Sequence, residues 1–566
     1  KYDQDENVTN KKIINYDWDN NEVREKRTPN SAERRYQKTL SKNFTLYADY
    51  KKNFNDRHDL SVMVGTSHES ENYDRFTAKR INFDQQENMS LQLGSAQDQN
   101  AWSEGNQWTI NSFFSRVNYT FANKYVIEGT IRADGSSRFD PDHRWGWFPG
   151  VNAAWRVGEE GFMKRLGWFE DLKVRASYGE MGNQSGIGLY DYIQLISLSN
   201  DYYPFGAGVK GQMATSGNII STSRTWETIQ TTNVGFDFST LNNRLYGSFD
   251  YFWKENKNML IPKTYPSMLG ADAPSTNSGH LSIHGWEISL GWRDQIKDFS
   301  YSVRFNISDA KNKVVDRVGS NLIQLGNNET PTGYPLNSYF GYEFDGIIQN
   351  EQELEAYKSR FSEGGIPGDL SVGDAMYKDL DGDGKLSVLG DGKEGSGDVK
   401  YLGDKNPRYN FGFNLSMAWK GFDLSAFIQG VGRRTMFLEG ESRCPMPEAW
   451  YQSAEYWYGK TWTPERTDAQ YPAITLKDKR NYNYYVSTNT KFNVAYARLK
   501  NLQFGYTIPQ TLTSKAGLQK VRVYFSGEDL FEVHNTPNGW DPEENSGSIT
   551  SYPFTRNYSF GINVVF

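Results

Sequence analysis

The stretch Tyr558 to Phe566 reads Y-S-F-G-I-N-V-V-F. On a strand, Tyr558, Phe560, Ile562, Val564 and Phe566 share one face, and Ser559, Gly561 and Asn563 share the other, with Val565 the exception. Such alternation sets the strand between an apolar and a polar environment. Chain ends of soluble domains usually fray. An apolar, aromatic last strand fits a closed barrel in lipid, where it zips onto the first strand and turns its outer face to acyl chains.

Composition agrees. Of 566 residues only 37% are hydrophobic, yet 15% are aromatic, with 36 Tyr against 33 Phe and 16 Trp. Low apolar content combined with many aromatics suits a polar lumen ringed by aromatic girdles. The net charge of -7 is mild, and no basic cluster with interleaved aromatics points to nucleic acid. Cys444 stands alone, which excludes a disulfide framework and a thiol metal cluster. No run of apolar residues is long enough for a transmembrane helix, and alternating barrel strands escape that test. The sequence starts at Lys1 without a start Met or signal peptide, so it reads as a fragment that lacks an N-terminal portion, with Phe566 a genuine end.

Residues 1–41 are polar and read as a loop or a partial upstream strand; residues 42–566 read as the C-terminal part of a transmembrane antiparallel β-barrel. Val234, Phe236 and Phe238 alternate with Gly235, Asp237 and Ser239. Trp286, Ile288, Leu290 and Trp292 oppose Glu287, Ser289 and Arg293, and Phe411 to Trp419 repeats the pattern. About 15–16 such strands are expected. Short connections near 55, 122, 158–170, 242, 296, 420 and 509–520 alternate with long ones near 73–106, 184–223, 263–278, 315–408, 437–492 and 534–553. Counting back from Phe566 puts every long connection on one side, the extracellular one. A soluble sandwich would carry Val, Ile and Leu on a core face; charges facing a core are costly, and here the polar face carries Arg, Asp, Glu and Lys.

Between Ser115 and Trp155 the chain reads S-R-V-N-Y-T-F-A-N-K-Y, R-A-D-G-S-S-R-F and R-W-G-W-F-P-G-V-N-A-A-W. With Val174 to Gly179, Gly285-Trp286-Glu287, Asp379 to Gly384, Arg498 to Leu502 and Pro553 to Phe566, these motifs resemble the SusC/RagA family of TonB-dependent outer-membrane transporters over about residues 40–566. The resemblance implies a whole barrel of about 22 strands with an N-terminal plug that lies outside this chain. It implies a SusD-like surface lipoprotein and the TonB–ExbB–ExbD complex as partners, the latter through the missing N-terminal part. The terminal residues Tyr558, Phe560, Ile562, Val564 and Phe566 are of the aromatic type that the barrel-assembly machinery recognises.

Two kinds of site stand out. Asp379, Asp381 and Asp383, followed by Gly384, form D-x-D-x-D-G, the pattern that wraps oxygen ligands around Ca²⁺ or Mg²⁺. Lys385 offers a backbone carbonyl. Gly390 stands where an EF-hand has Glu, which excludes that motif, and Asp391 follows it. The same residues also read as a solvated acidic turn. No organic cofactor is implied. The loops also hold Trp102, Trp108, Tyr202, Tyr203, Trp226, Trp450, Tyr451, Trp457 and Tyr484, which suit stacking on sugars or gripping peptide side chains. Each of them equally suits girdle, loop packing or lid contact. Asp134 or Asp142 with Arg138 or Arg144 reads as a structural tie in a short hairpin. His280 and His284 lie about 13 Å apart on a strand, too far for one metal, and no Gly-x-Ser-x-Gly elbow appears, so an enzyme is not expected. The expectation is TonB-dependent import of oligosaccharides or other nutrient oligomers. An oligopeptide importer of the same family is the alternative, and a passive channel or adhesion barrel comes third.

Overall fold

The computed structural model describes all residues except 1, 10–11, 17–21, 28–29, 85–89, 98, 200–203, 206–208, 211–212, 217–218, 263–273, 318–325, 328–330, 390–396, 448–452, 476–477, 545–546, 548–551 and 553. Sixteen strands make one antiparallel sheet. They are β1 (Tyr2–Thr9), β2 (Ser31–Phe54), β3 (His58–Ile81), β4 (Gln99–Phe121), β5 (Tyr125–Ser136), β6 (Trp145–Arg156), β7 (Asp171–Asn183) and β8 (Glu227–Thr240). The rest are β9 (Leu245–Pro262), β10 (Ser275–Ile296), β11 (Phe299–Asp316), β12 (Arg408–Trp419), β13 (Phe422–Arg433), β14 (Tyr496–Thr507), β15 (Lys520–His534) and β16 (Asn557–Val565). Each pairs only with its neighbours in sequence, and β1 and β16 form the two edges of the sheet.

The turns explain the alternation of short and long connections. At the short end, Asn55-Asp56 has φ of 55° and 53°, and Asn242-Asn243 has 58° and 59°. Successive left-handed residues match the twist of the flanking strands; Asn and Asp tolerate that conformation, and Leu241 precedes the second pair in it with φ of 57°. Long connections lie at the other end, where chain accumulates over 317–407 between β11 and β12 and over 434–495 between β13 and β14.

The faces separate as the alternation predicts. In the last hairpin Phe560 pairs with Phe525 and Ile562 with Val523, and the two phenyl rings lie 5.3 Å apart. Tyr558, Phe560, Ile562 and Val564, which share one face of β16, are all exposed, as a lipid-facing row must be. Near the short turns, Phe121, Tyr125 and Trp155 stack in sequence across β4, β5 and β6, the beginning of an aromatic girdle. The opposite face holds ion pairs. Arg175 on β7 donates to Asp237 on β8 at 3.0 and 3.1 Å and to Asp250 on β9 at 2.6 and 2.7 Å. Gly235 sits in register between Arg175 and Asp250, and a Cβ there would lie 2.6 Å from the Asp250 carboxylate. Only glycine lets the guanidinium cross a whole strand.

Of the two readings of the polar start, loop or partial upstream strand, the strand is seen: Tyr2–Thr9 is a strand, Lys12–Tyr16 pairs with Glu22–Arg27, and β2 already begins at Ser31. One boundary needs correction. The loop expected at 73–106 shrinks to 82–98, because β2 and β3 run 24 residues each and β4 runs 23. The upper halves of these strands stand in water on both faces. They need no apolar row there, and hydrophobic alternation cannot reveal them. The other long connections between strands of the sheet run over 184–226, 263–274, 317–407, 434–495 and 535–556.

The face assignment has a direct test. Leu290→Arg places a cation on the lipid face of β10 and costs about 2–4 kcal/mol, whereas Ser289→Arg, one residue away on the lumen face, costs little. Reversible unfolding of the full-length protein in lipid vesicles measures both; equal costs would reverse the assignment.

Candidate functional site

Above the wall, the two largest connections fold into a cap with its own cores. In the 317–407 connection, Ser338–Tyr342 pairs with Val399–Asp404, and Phe344–Ile347 pairs with Ala375–Tyr377. A helix at Glu351–Arg360 starts where the Asn350 side chain accepts the Glu353 N–H at 3.0 Å. Glu353 reaches back to accept the Gln349 N–H at 2.9 Å, so orphan amides at the helix start are satisfied.

The helix presents Leu354 and Tyr357 to a core that includes Tyr342, Ile348, Tyr377 and, from the neighbouring connection, Tyr482. The hydroxyls of Tyr357 and Tyr482 lie 2.7 Å apart, and the Tyr377 hydroxyl donates to the Tyr482 carbonyl at 2.7 Å. Burial raises the Tyr357 phenol to about 12 and holds Tyr377 well above the ordinary phenol range. These phenols therefore stay neutral hydrogen-bonding groups. Asn483 bridges the two connections as well: its side chain donates to Asp374 at 2.9 Å and accepts the Ala375 N–H at 3.0 Å. On the cap surface, hydrogen bonds from Lys378 and Lys400 hold the Glu343 carboxyl down to about 2.

A second core gathers Met436, Leu438, Tyr456, Trp457, Tyr471, Tyr484 and Trp540. A third holds Phe139, Phe148, Ile187 and Trp226. Arg498 on β14 ties the cap to the wall: it is 1% exposed, lies 2.8 Å from Asp541 and 3.1 Å from Glu543, and stacks under Phe554 at 4.1 Å.

This packing relocates the aromatics expected at a ligand. Trp226, Trp457 and Tyr484 are 7%, 3% and 1% exposed; they are core residues. Trp226 donates to the Arg144 carbonyl at 2.8 Å, and Tyr484 donates to the Pro472 carbonyl at 3.0 Å. Trp102 and Trp108 are not loop residues at all but lie on β4, on the same strand face as Ser112 and Arg116. Trp102 is exposed; Trp108 donates to Glu71 at 3.3 Å and lies beneath Arg138 at 5.8 Å. Tyr202, Tyr203, Trp450 and Tyr451 lie outside the described residues. The tie expected at the short hairpin uses another partner: Asp134 binds Arg132 at 2.7 Å, while Arg138 and Arg144 donate to the carbonyls of Ile187 and Phe139. Tyr458, another of the loop aromatics, is 90% exposed on the cap.

The acidic turn is built by its glycines and its own carboxylates. Gly382 and Gly384 adopt φ of 75° and 77°. Asp379 accepts the N–H of Gly382 at 2.7 Å and of Gly384 at 3.1 Å, and Asp383 accepts the Lys385 N–H at 2.8 Å. Among the described residues, the oxygens of Asp379, Asp381 and Asp398 come within 4.8 Å of one another; Asp383 is not in that trio. Lys385 sits beside Gly364 in a parallel bridge. Asp391 and Gly390 lie outside the described residues. Asp398 is fully buried and accepts the N–H groups of Leu380 at 2.6 Å and Ser387 at 2.8 Å. Burial pushes its carboxyl up, and the charges of Asp381 and Asp379 add to that rise. Its distance in sequence from the D-x-D-x-D-G run hid it from motif reading.

Comparison with known proteins places this architecture. A family profile described as "TonB dependent receptor-like, beta-barrel" matches residues 1–530. TonB-dependent receptor P3 of Formosa agariphila is 32% identical over 93% of this chain and 52% of its own length. TonB-dependent receptor SusC of Bacteroides thetaiotaomicron is 26% identical over 92% of this chain and 50% of its own length. The chain thus spans about half the length of the curated relatives it matches. A solved structure of the RagAB peptide transporter superposes with a TM-score of 0.79 at 23% identity, covering 100% of this chain and 59% of that one. No helix among the described residues is long and apolar enough to cross a membrane, and the paired strands of the wall do so instead. The two-faced wall, its alternating short and long connections and these matches establish that the chain belongs to the SusC/RagA family of TonB-dependent outer-membrane receptors.

Proposed function

We propose that this chain is the wall and extracellular cap of an importer that carries oligosaccharides or other nutrient oligomers across the bacterial outer membrane, driven through TonB. The observation that carries the reading is the family match over residues 1–530, and the folded cap supports it. Loops with buried cores of their own, locked together by Tyr357, Tyr482 and Asn483, make a built mouth rather than a simple pore rim. In this reading a SusD-like lipoprotein closes over the cap. The TonB–ExbB–ExbD complex acts on a plug in the full-length protein, and polar wall residues give the passing ligand a wet path.

Uptake of a labelled oligosaccharide by cells carrying the full-length transporter tests the reading. Removing the TonB-contacting segment abolishes uptake; undiminished uptake would leave a passive channel. A peptide cargo is the competing reading, because the RagAB neighbour is a peptide transporter. Mass spectrometry of material that co-purifies with the transporter separates glycan from peptide.

We also propose that Asp379, Asp381 and Asp398 hold one Ca²⁺ or Mg²⁺ that pins the 317–407 connection. The donor set is all hard oxygen, which suits these cations. Three carboxylates drawn together, one fully buried, call for a counter-charge. A cation at a hundred times its dissociation constant stabilises the folded state by about 2.7 kcal/mol. Thermal unfolding of the full-length protein therefore shifts upward with added Ca²⁺, and Asp398→Asn removes the shift. A melting temperature indifferent to Ca²⁺ and Mg²⁺ in the unaltered protein would sink the assignment.

A further inference from the structure

A cavity of about 390 Å³ opens where the upper ends of β10 to β13 meet the cap. The residues that line it include five cations, Lys311, Lys313, Arg408, Arg433 and Arg434, against a single carboxylate, Asp404. The partners of these groups decide how much charge is left over. Arg408 is paired with Asp309. Arg434 is buried and donates to the carbonyls of Pro542 at 2.7 Å and Glu544 at 2.8 Å. Asp404 is occupied as well, accepting the Tyr401 hydroxyl at 2.8 Å and the Asn406 N–H at 3.0 Å. Lys311, Lys313 and Arg433 are exposed, and none of them makes an ion pair among the described residues. Burial lowers the Lys491 ammonium, and the charges of Arg433 and Lys400 lower it further.

We propose that this cavity binds an oxyanion group — carboxylate, sulfate or phosphate — carried by an anionic oligomer. The Arg433 fork matches two oxygens of one such group, and the two lysines add mobile point charges on the other wall. A concave, partly desolvated site strengthens each attraction relative to open water. The proposal rests on the import reading for how the oligomer arrives at the mouth, but the binding itself needs no transport.

Equilibrium binding to the purified full-length transporter tests it independently of uptake. The probes are a sulfated dextran oligosaccharide, the unsulfated oligosaccharide of the same length, and a glutamyl oligopeptide, each titrated calorimetrically at low and high salt. The sulfated probe binds at least about ten-fold more tightly than the neutral one, and salt screening narrows the gap. Combining Lys311→Gln, Lys313→Gln and Arg433→Gln removes that advantage, while Lys311→Arg with Lys313→Arg keeps it. Should the triple variant fail to fold, the single exposed change Arg433→Gln carries the test and weakens binding several-fold. Binding of the glutamyl peptide, alongside the sulfated probe or in its place, supports the oxyanion site and names the peptide as a source. Equal binding of charged and neutral probes, no binding of either anionic probe, or anion binding unchanged in the variants overturns the proposal. Failed uptake with intact anion binding would count against the import reading alone.

Discussion

Inside hydrocarbon there is no water to satisfy a backbone N–H or C=O, and an unpaired one costs several kcal/mol. Strand pairing is therefore the condition on which the rest of this structure depends. Between the two edges of the sheet it is met in the simplest way, each strand bonding to its neighbours in sequence, so tight turns with left-handed Asn and Asp suffice at one end. Once the backbone is satisfied, side chains alone choose the environment. One face is left to lipid and the other to water, and all the large insertions gather at the end where length costs least.

The water-facing side carries a second tier of order. Arg175 reaches Asp250 over Gly235, and Arg522 on β15 reaches Asp423 on β13 across the position of Gly505 on β14. In each case a glycine in the middle strand clears the path for a charge-assisted bond that skips a strand. Register in a sheet is weakly fixed where both faces are polar. A tie of this kind fixes it, because sliding any one strand by two residues would leave a guanidinium opposite a side chain instead of a gap.

What the sequence disclosed follows from where contrast exists. Alternation is sharp wherever one face meets lipid, so Phe411 to Trp419 and Tyr558 to Phe566 read as strands at once. It fades over Tyr73 to Ile81 and Gln99 to Asn106, where water bathes both faces, and those strands read as loop. Cap aromatics posed a different problem. Tyr357 and Tyr482 lie 125 residues apart yet share a hydrogen bond, and no local pattern announces that meeting. Trp226, Trp457 and Tyr484 looked available for ligand because loop residues are usually exposed; loops this large bury their own cores instead. The acidic turn was legible as Asp379 and Asp381, while Asp398 joins them only through the fold.

The overhang of the wall has a consequence for reach. A strand of 24 residues such as β2 spans about 80 Å at ~3.3 Å per residue, and a tilt of roughly 40° still leaves about 60 Å of height. The apolar band needs only about 25 Å of that. The tallest part of the rim therefore stands some tens of ångströms clear of the headgroups, like the lip of a well above ground. Anything tethered to the lipid surface must climb that parapet before it can touch the cap.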